Sequence, residues 1–283
     1  MKQLIITADD YGMSRAVNDA IEAGMAAGII TTTNVMTNMP LYKEAKSLKD
    51  KFPKVSVGLH WTLSGAGKPV TPIEQVPTLV NEKGYLFPYV EFRKRYRKGL
   101  IKNEEILKEL RNQFNFYYEL MGMPDYWNTH QNTHVDFKIY QLFVALAAEL
   151  KIPAMRSHQR IYVPASNPSD KLPLVWRLIE PFKSKLIDFW QDNAHKKGLV
   201  SPEGLIVTIC PKDMNNISYV FRNIKWGKHQ VGEFVIHPAT RNDSPFFGKI
   251  VDQRILEYKL FSSEETSKEI RACGIELVNY SVL

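Results

Sequence analysis

The chain has 283 residues, 44% hydrophobic and 24% charged, a balance that fits one large or two modest globular domains and excludes a disordered or collagenous protein. Two cysteines, Cys210 and Cys273, are too few for a disulfide framework and read as reduced, buried thiols. Lys and Arg outnumber Asp and Glu by 37 to 30, a formal charge of +7, so an acidic partner such as nucleic acid has to be weighed. No run of about 18 apolar residues predicts a membrane span. The first ten residues carry charge where a signal peptide would continue its apolar stretch. A cytoplasmic, reducing compartment is the expectation.

A first strand is predicted over 3–8. Ser14 then caps a helix with Val17, Ala20, Ile21 and Met25 on one face, ending at Gly28. A strand over 29–36 follows. Leu41, Ala45, Leu48 and Phe52 repeat at i, i+4, i+7 and i+11, the period of a second helix. A third strand spans 55–60. Residues 62–90 hold four prolines and no sustained period, so they read as an excursion, continuing through charged residues to about 102. Ile106, Leu107, Leu110, Phe114 and Tyr117 mark the next helix. Strands at 126–130 and 153–157 flank a helix at 136–151, and a polar loop covers 158–172. A helix at 173–193, strands at 204–209 and 232–237, a helix at 251–272 and a strand at 275–279 complete the chain.

Strand and helix alternate throughout, the pattern of a parallel sheet with helices outside. Seven or eight such units in 283 residues favour an α/β barrel over an open sheet. No repeat or linker divides the chain, so 1–283 reads as one domain.

Parallel strands put their C-terminal ends on one rim, and the acids and histidines fall there. Asp9 and Asp10 follow the first strand and His60 ends the third. His130 and His134 follow the fourth, Arg156 ends the fifth, and His237 closes 232–237. One carboxylate and two imidazoles, Asp10, His60 and His130, are the donors of a hydrolytic metal site with open positions. Such a metal would polarise a carbonyl and lower the pKa of a water, Asp9 would take the proton, and His237 would return one to the leaving group. Taken singly, each has a plainer reading. The acidic pair could start a helix, His60 could be a core histidine, and Arg156 could serve a structural ion pair.

The segments LIITADDYGMSRAVNDAI (4–21), ITTTNVMTN (30–38), VGLHWTL (57–63), NTHQNTH (128–134) and EFVIHPA (233–239) resemble the YdjC-like carbohydrate deacetylases. The likeness continues to RILEYKLFSSEE and GIELVNY within 254–280 and is weakest over 160–230. It implies a distorted TIM-like (β/α) barrel of seven or eight parallel strands and removal of the acetyl group from N-acetylated mono- or oligosaccharides, chitooligosaccharides above all. It implies a divalent metal, magnesium first, on Asp10, His60 and His130, with Asp9 as base. His237 falls on the family's HPA histidine and Arg156 on its strand-end arginine. Arg156 and His134 are the residues expected to meet substrate. On ligand softness, two imidazoles suit zinc better than magnesium. The family's usual Asp-Ser-His-His-His string here begins Asn128-Thr129-His130, so a neutral amide stands where a carboxylate would lend charge to a ligand.

Two other functions compete. A sugar-binding protein, catalytically weakened at Asn128, would use the same scaffold. A nucleic-acid binder would use Phe92 and Tyr96 among the basic residues of 91–102. That segment holds six basic side chains against Glu91, a local +5, leaving +2 over the other 271 residues. The basic charge therefore belongs to one excursion, and nucleic acid is not the expected partner. Base rates leave a homodimer open.

Overall fold

A computed structural model describes residues 1–134, 136–170 and 173–283. Its strands are β1 (Lys2–Tyr11), β2 (Thr32–Val35), β3 (Ser56–Trp61), β4 (Trp127–Thr129), β5 (Arg160–Val163), β6 (Gly204–Thr208), β7 (Val231–Ile236) and β8 (Ile275–Val278). They form one sheet in the order β4-β3-β2-β1-β7-β6-β5, all ladders parallel, with β8 beside the first half of β1. The helices are α1 (Arg15–Ala26), α2 (Leu48–Lys51), α3 (Tyr89–Arg97), α4 (Asn103–Met121), α5 (Phe137–Glu149), α6 (Leu174–Lys196), α7 (Ile217–Arg222), α8 (Val251–Phe261) and α9 (Glu264–Ala272). No helix among the described residues is long and apolar enough to cross a membrane.

β1 is the central strand, and residues 4–11 are all buried, as expected where both faces of a parallel sheet are covered. Ser14 caps α1 as its sequence indicates, accepting a hydrogen bond from Val17 N at 3.3 Å. Helix α1 buries Ala16, Val17, Ala20, Ile21 and Met25, the face its period predicts.

The fold is an α/β barrel, but distorted: seven strands curl partway round, and the edge strands β4 and β5 share no ladder among the described residues. The strand expected at 153–157 is reduced to single parallel bridges, Met155 to Trp127 and Ala154 to Val200. The regular fifth strand instead lies at Arg160–Val163, inside the stretch read as loop, because its polar Arg160 and Tyr162 face outward while Ile161 and Val163 are buried. The helix expected over 41–52 is a 3₁₀ turn, Tyr42–Ser47, running into the short α2. The helix expected over 251–272 is two, separated at Ser262–Ser263, with Ser263 capping α9 through Glu265 N at 3.2 Å.

Tight packing ties this frame to the rim. Gly58 on β3 has no room for a side chain, since a Cβ there would come within 2.5 Å of the Tyr126 ring. Tyr126 in turn stacks on Tyr280 at 3.8 Å between centroids. Gly58→Ala is expected to cost about 1–3 kcal/mol by overpacking, read as a melting temperature several degrees lower. An unchanged melting curve would contradict this packing.

Candidate active site

Adjacent residues on a regular strand point to opposite faces, yet Asp9 and Asp10 share one site. The β1–β2 register shifts between Ala8 and Tyr11, and Asp10 adopts φ +77°. This bulge turns both carboxylates inward. The left-handed conformation is least costly for Asp and Asn among non-glycine residues, and Asn34 on β2 supports it. Asn34 Oδ1 accepts from Asp10 N at 3.4 Å, and its Nδ2 donates to Asp9 Oδ1 at 2.6 Å.

Asp10, His60 and His130 meet as the sequence predicts. One donor atom from each lies within 4.8 Å of the others, and all three residues are buried. Asp10 Oδ1 is 3.3 Å from His60 Nε2 and 2.9 Å from His130 Nδ1. His130 Nε2 is buried with no hydrogen-bond partner among the described residues. Burial lowers the His130 pKa despite the pull of Asp10, keeping the imidazole in its neutral, metal-binding form. The left-handed Gln131 (φ +56°) and Asn132 (φ +51°) turn the chain directly after this histidine.

Asn128 does mechanical work despite its neutrality. Its Nδ2 lies 3.3 Å from Asp9 Oδ1, which fixes the amide's orientation. Its Oδ1 therefore accepts from His60 Nδ1 at 2.5 Å, and the other ring nitrogen, Nε2, keeps its lone pair toward Asp10. The donor set thus fits a divalent cation: one carboxylate oxygen, one imidazole with a fixed tautomer and one with an unpaired nitrogen.

Asp9 and Arg156 form a two-pronged pair, Nη1 to Oδ2 at 2.8 Å and Nη2 to Oδ1 at 2.7 Å. Arg156 Nε donates to Glu233 on β7 at 3.0 Å, and Glu233 also accepts from Thr7 at 2.6 Å and Tyr280 at 3.0 Å. Burial alone would raise the Asp9 pKa, but Arg156, with His60 and His237, outweighs it and holds the carboxyl well below the usual range. Arg156, expected to meet substrate, is 3% exposed and bonded to two carboxylates. His237 Nε2 is 3.7 Å from Asp9 Oδ2 with its side chain 33% exposed, so the site opens to solvent on this side.

One helix supports both halves of the site. Arg254 of α8 places Nη2 2.5 Å from Asp10 Oδ2 and stacks on Phe247 at 4.7 Å. Burial would raise the Asp10 pKa, but Arg254 first and then His130 and His60 depress it well below the usual range. One turn along α8, Glu257 accepts from His237 N at 2.6 Å. Neither Arg254 nor Glu257 was singled out as functional by the sequence, because charges on an amphipathic helix ordinarily face solvent. Asn34 and Glu233 were likewise missed, although both lie inside the segments that carry the family resemblance.

His134 does not join this group. It is buried against Trp127, Phe143 and Tyr140, with ring centroids 5.4, 5.9 and 6.4 Å away. Its Nδ1 meets Thr129 Oγ1 at 2.5 Å and its Nε2 meets His158 Nε2. Burial, His158 and Arg156 push the His134 pKa well down, and burial with Arg156 and Arg160 pushes His158 down to about 3. Between pH 7 and 5 the unfolded imidazoles protonate near 6.5 while the folded ones stay neutral, so the unfolded state binds more protons and stability falls with pH. A slope that steepens toward about 1.4 kcal/mol per pH unit per imidazole as pH falls to 5 is expected in chelator, read from urea midpoints, and His158→Gln should flatten it. A midpoint independent of pH would contradict the neutral pair.

The YdjC-like protein family matches residues 3–272. A carbohydrate deacetylase of Thermoanaerobacter pseudethanolicus is 26% identical over 285 residues, covering 100% of both chains. A chitooligosaccharide deacetylase of Serratia marcescens is 32% identical over 155 residues, 54% of this chain and 49% of that protein. The crystal structure of an Enterococcus faecalis protein named for cellobiose-phosphate cleavage superposes with a TM-score of 0.76 at 25% identity, covering 99% of this chain and 98% of that one. The match begins with β1 and its paired aspartates and runs to the last turn of α9, so the chain belongs to the YdjC-like protein family.

Proposed function

We propose that the protein is a metal-dependent carbohydrate deacetylase that hydrolyses the acetamide of an N-acetylated sugar to acetate and an amino sugar. The observation that carries this reading is the meeting of three buried metal donors, Asp10, His60 and His130, with a second carboxylate, Asp9, on one rim. The names of its relatives, carbohydrate deacetylase over the full chain and chitooligosaccharide deacetylase over half of it, supply the substrate class.

When bound, a divalent ion supplies Lewis acidity toward the amide oxygen and lowers the pKa of a water. The protein's own groups do the rest. Asp9, fixed by Arg156, Asn34 and Asn128, takes the proton of the attacking water. Its pairing with Arg156 keeps it ionised at neutral pH and makes it a weaker base than a free carboxylate. His237, at the open side, delivers a proton to the departing amine, with its backbone held by Glu257. Arg156 positions Asp9, and Glu233 fixes Arg156 from behind. The two imidazoles favour zinc, whereas the family resemblance implies magnesium, a harder ion that prefers oxygen.

Incubation with N-acetylglucosamine and its short oligomers tests this reading. Acetate and free amine should appear in equal amounts, and their absence with magnesium, zinc or manganese would contradict it.

A further inference from the structure

An open groove of about 600 Å³ lies on the rim, outside the buried cluster. Its walls come from three loops that follow strands. Tyr42 and Lys43 stand beyond β2, Lys68 and Tyr85 belong to the excursion beyond β3, and Phe246 lies beyond β7. Tyr85 is 41% exposed, and Lys68 Nζ sits 5.3 Å from its ring centroid. Asn38 donates to Ala66 O and Lys68 O at 2.9 and 3.2 Å, holding the two loops together; its Oδ1 is buried, with no partner among the described residues. The groove is linked to the cluster through one loop: Phe246 in its wall precedes Phe247, which packs on Arg254, which holds Asp10.

We propose that this groove is a subsite for the sugar ring next to the one that is deacetylated. Its aromatic faces suit the apolar C–H face of a pyranose, and the two lysines suit its hydroxyls, the mix of apolar wall and few polar groups that ligand clefts show. Nothing in the metal cluster requires these residues. The sugar class rests on the deacetylase reading, while the groove's affinity for a second ring is separately measurable.

Calorimetric titration with tri-N-acetylchitotriose and with N-acetylglucosamine, in chelator to stop turnover, tests it. The wild type should bind the trisaccharide more tightly, and Tyr85→Ala should narrow that preference about tenfold, the scale of one aromatic stacking contact. Phe246→Ala, on a different loop, should narrow it likewise and guards against a local folding defect at Tyr85. Equal affinity of the wild type for both sugars, or an unchanged preference in both variants, overturns the subsite. Trisaccharide binding that depends on Tyr85, without acetate release under any metal, would keep the subsite and remove the deacetylase reading.

Discussion

Asp9→Asn is expected to lower kcat for acetate release by about 10²- to 10⁴-fold, the range for loss of a positioned general base. The substituted amide keeps the shape of the site but cannot accept the water's proton. Arg156 then retains only Glu233 as an ionised partner. Because Arg156 is buried, some stability is lost as well, and the variant must be shown to be folded by its near-ultraviolet spectrum at the assay temperature. Two readings of the variant are separable. A positional role alone would leave the pH profile of residual activity unchanged, whereas loss of the base should make the rate rise with hydroxide. Wild-type acetate release from folded Asp9→Asn would remove Asp9 from the reaction.

Arg254→Met is expected to destabilise the metal-free protein by about 3–5 kcal/mol, because it strips the cation from a buried carboxylate. Asp10 is fully buried, and Arg254 is its shortest ion-pair contact, at 2.5 Å. The methionine keeps an unbranched apolar stem but loses both the charge and the guanidinium that stacks on Phe247. A divalent ion at Asp10 would replace part of that charge, so added zinc should raise the melting temperature of the variant more than that of the wild type. Thermal melts in chelator and in excess zinc measure both effects. Equal melting of variant and wild type in chelator would mean that Arg254 does not support the metal ligand.

The convergence of Asp10, His60 and His130 was legible because strand ends announce themselves in sequence. Asp10, His60 and His130 each follow an apolar run, and parallel topology brings such ends together. The bulge in β1 was not legible, since nothing in the string ADDYG distinguishes a regular strand from one that turns two neighbouring carboxylates to the same side. Arg254 and Glu257 were hidden by the same physics that makes surface helices readable: a buried charge on α8 has the sequence pattern of a solvated one. The strand at 160–163 escaped because only Ile161 and Val163 of its four residues face the core. Segment 153–157 misled for the opposite reason, being apolar enough for a strand yet limited to two single bridges at the open edges of the sheet. Asn128, read as a lost charge, proved to be the group that sets the tautomer of His60.

Hydrolysis is expected to depend on a cation held by Asp10, His60 and His130. The most direct measurement is acetate release from tri-N-acetylchitotriose by enzyme stripped with chelator, then resupplied separately with magnesium and zinc, for wild type and for His60→Ala. Stripped enzyme should release no acetate, at least one ion should restore release in the wild type, and the same ion concentration should restore none in His60→Ala. Undiminished acetate release in excess chelator would contradict it.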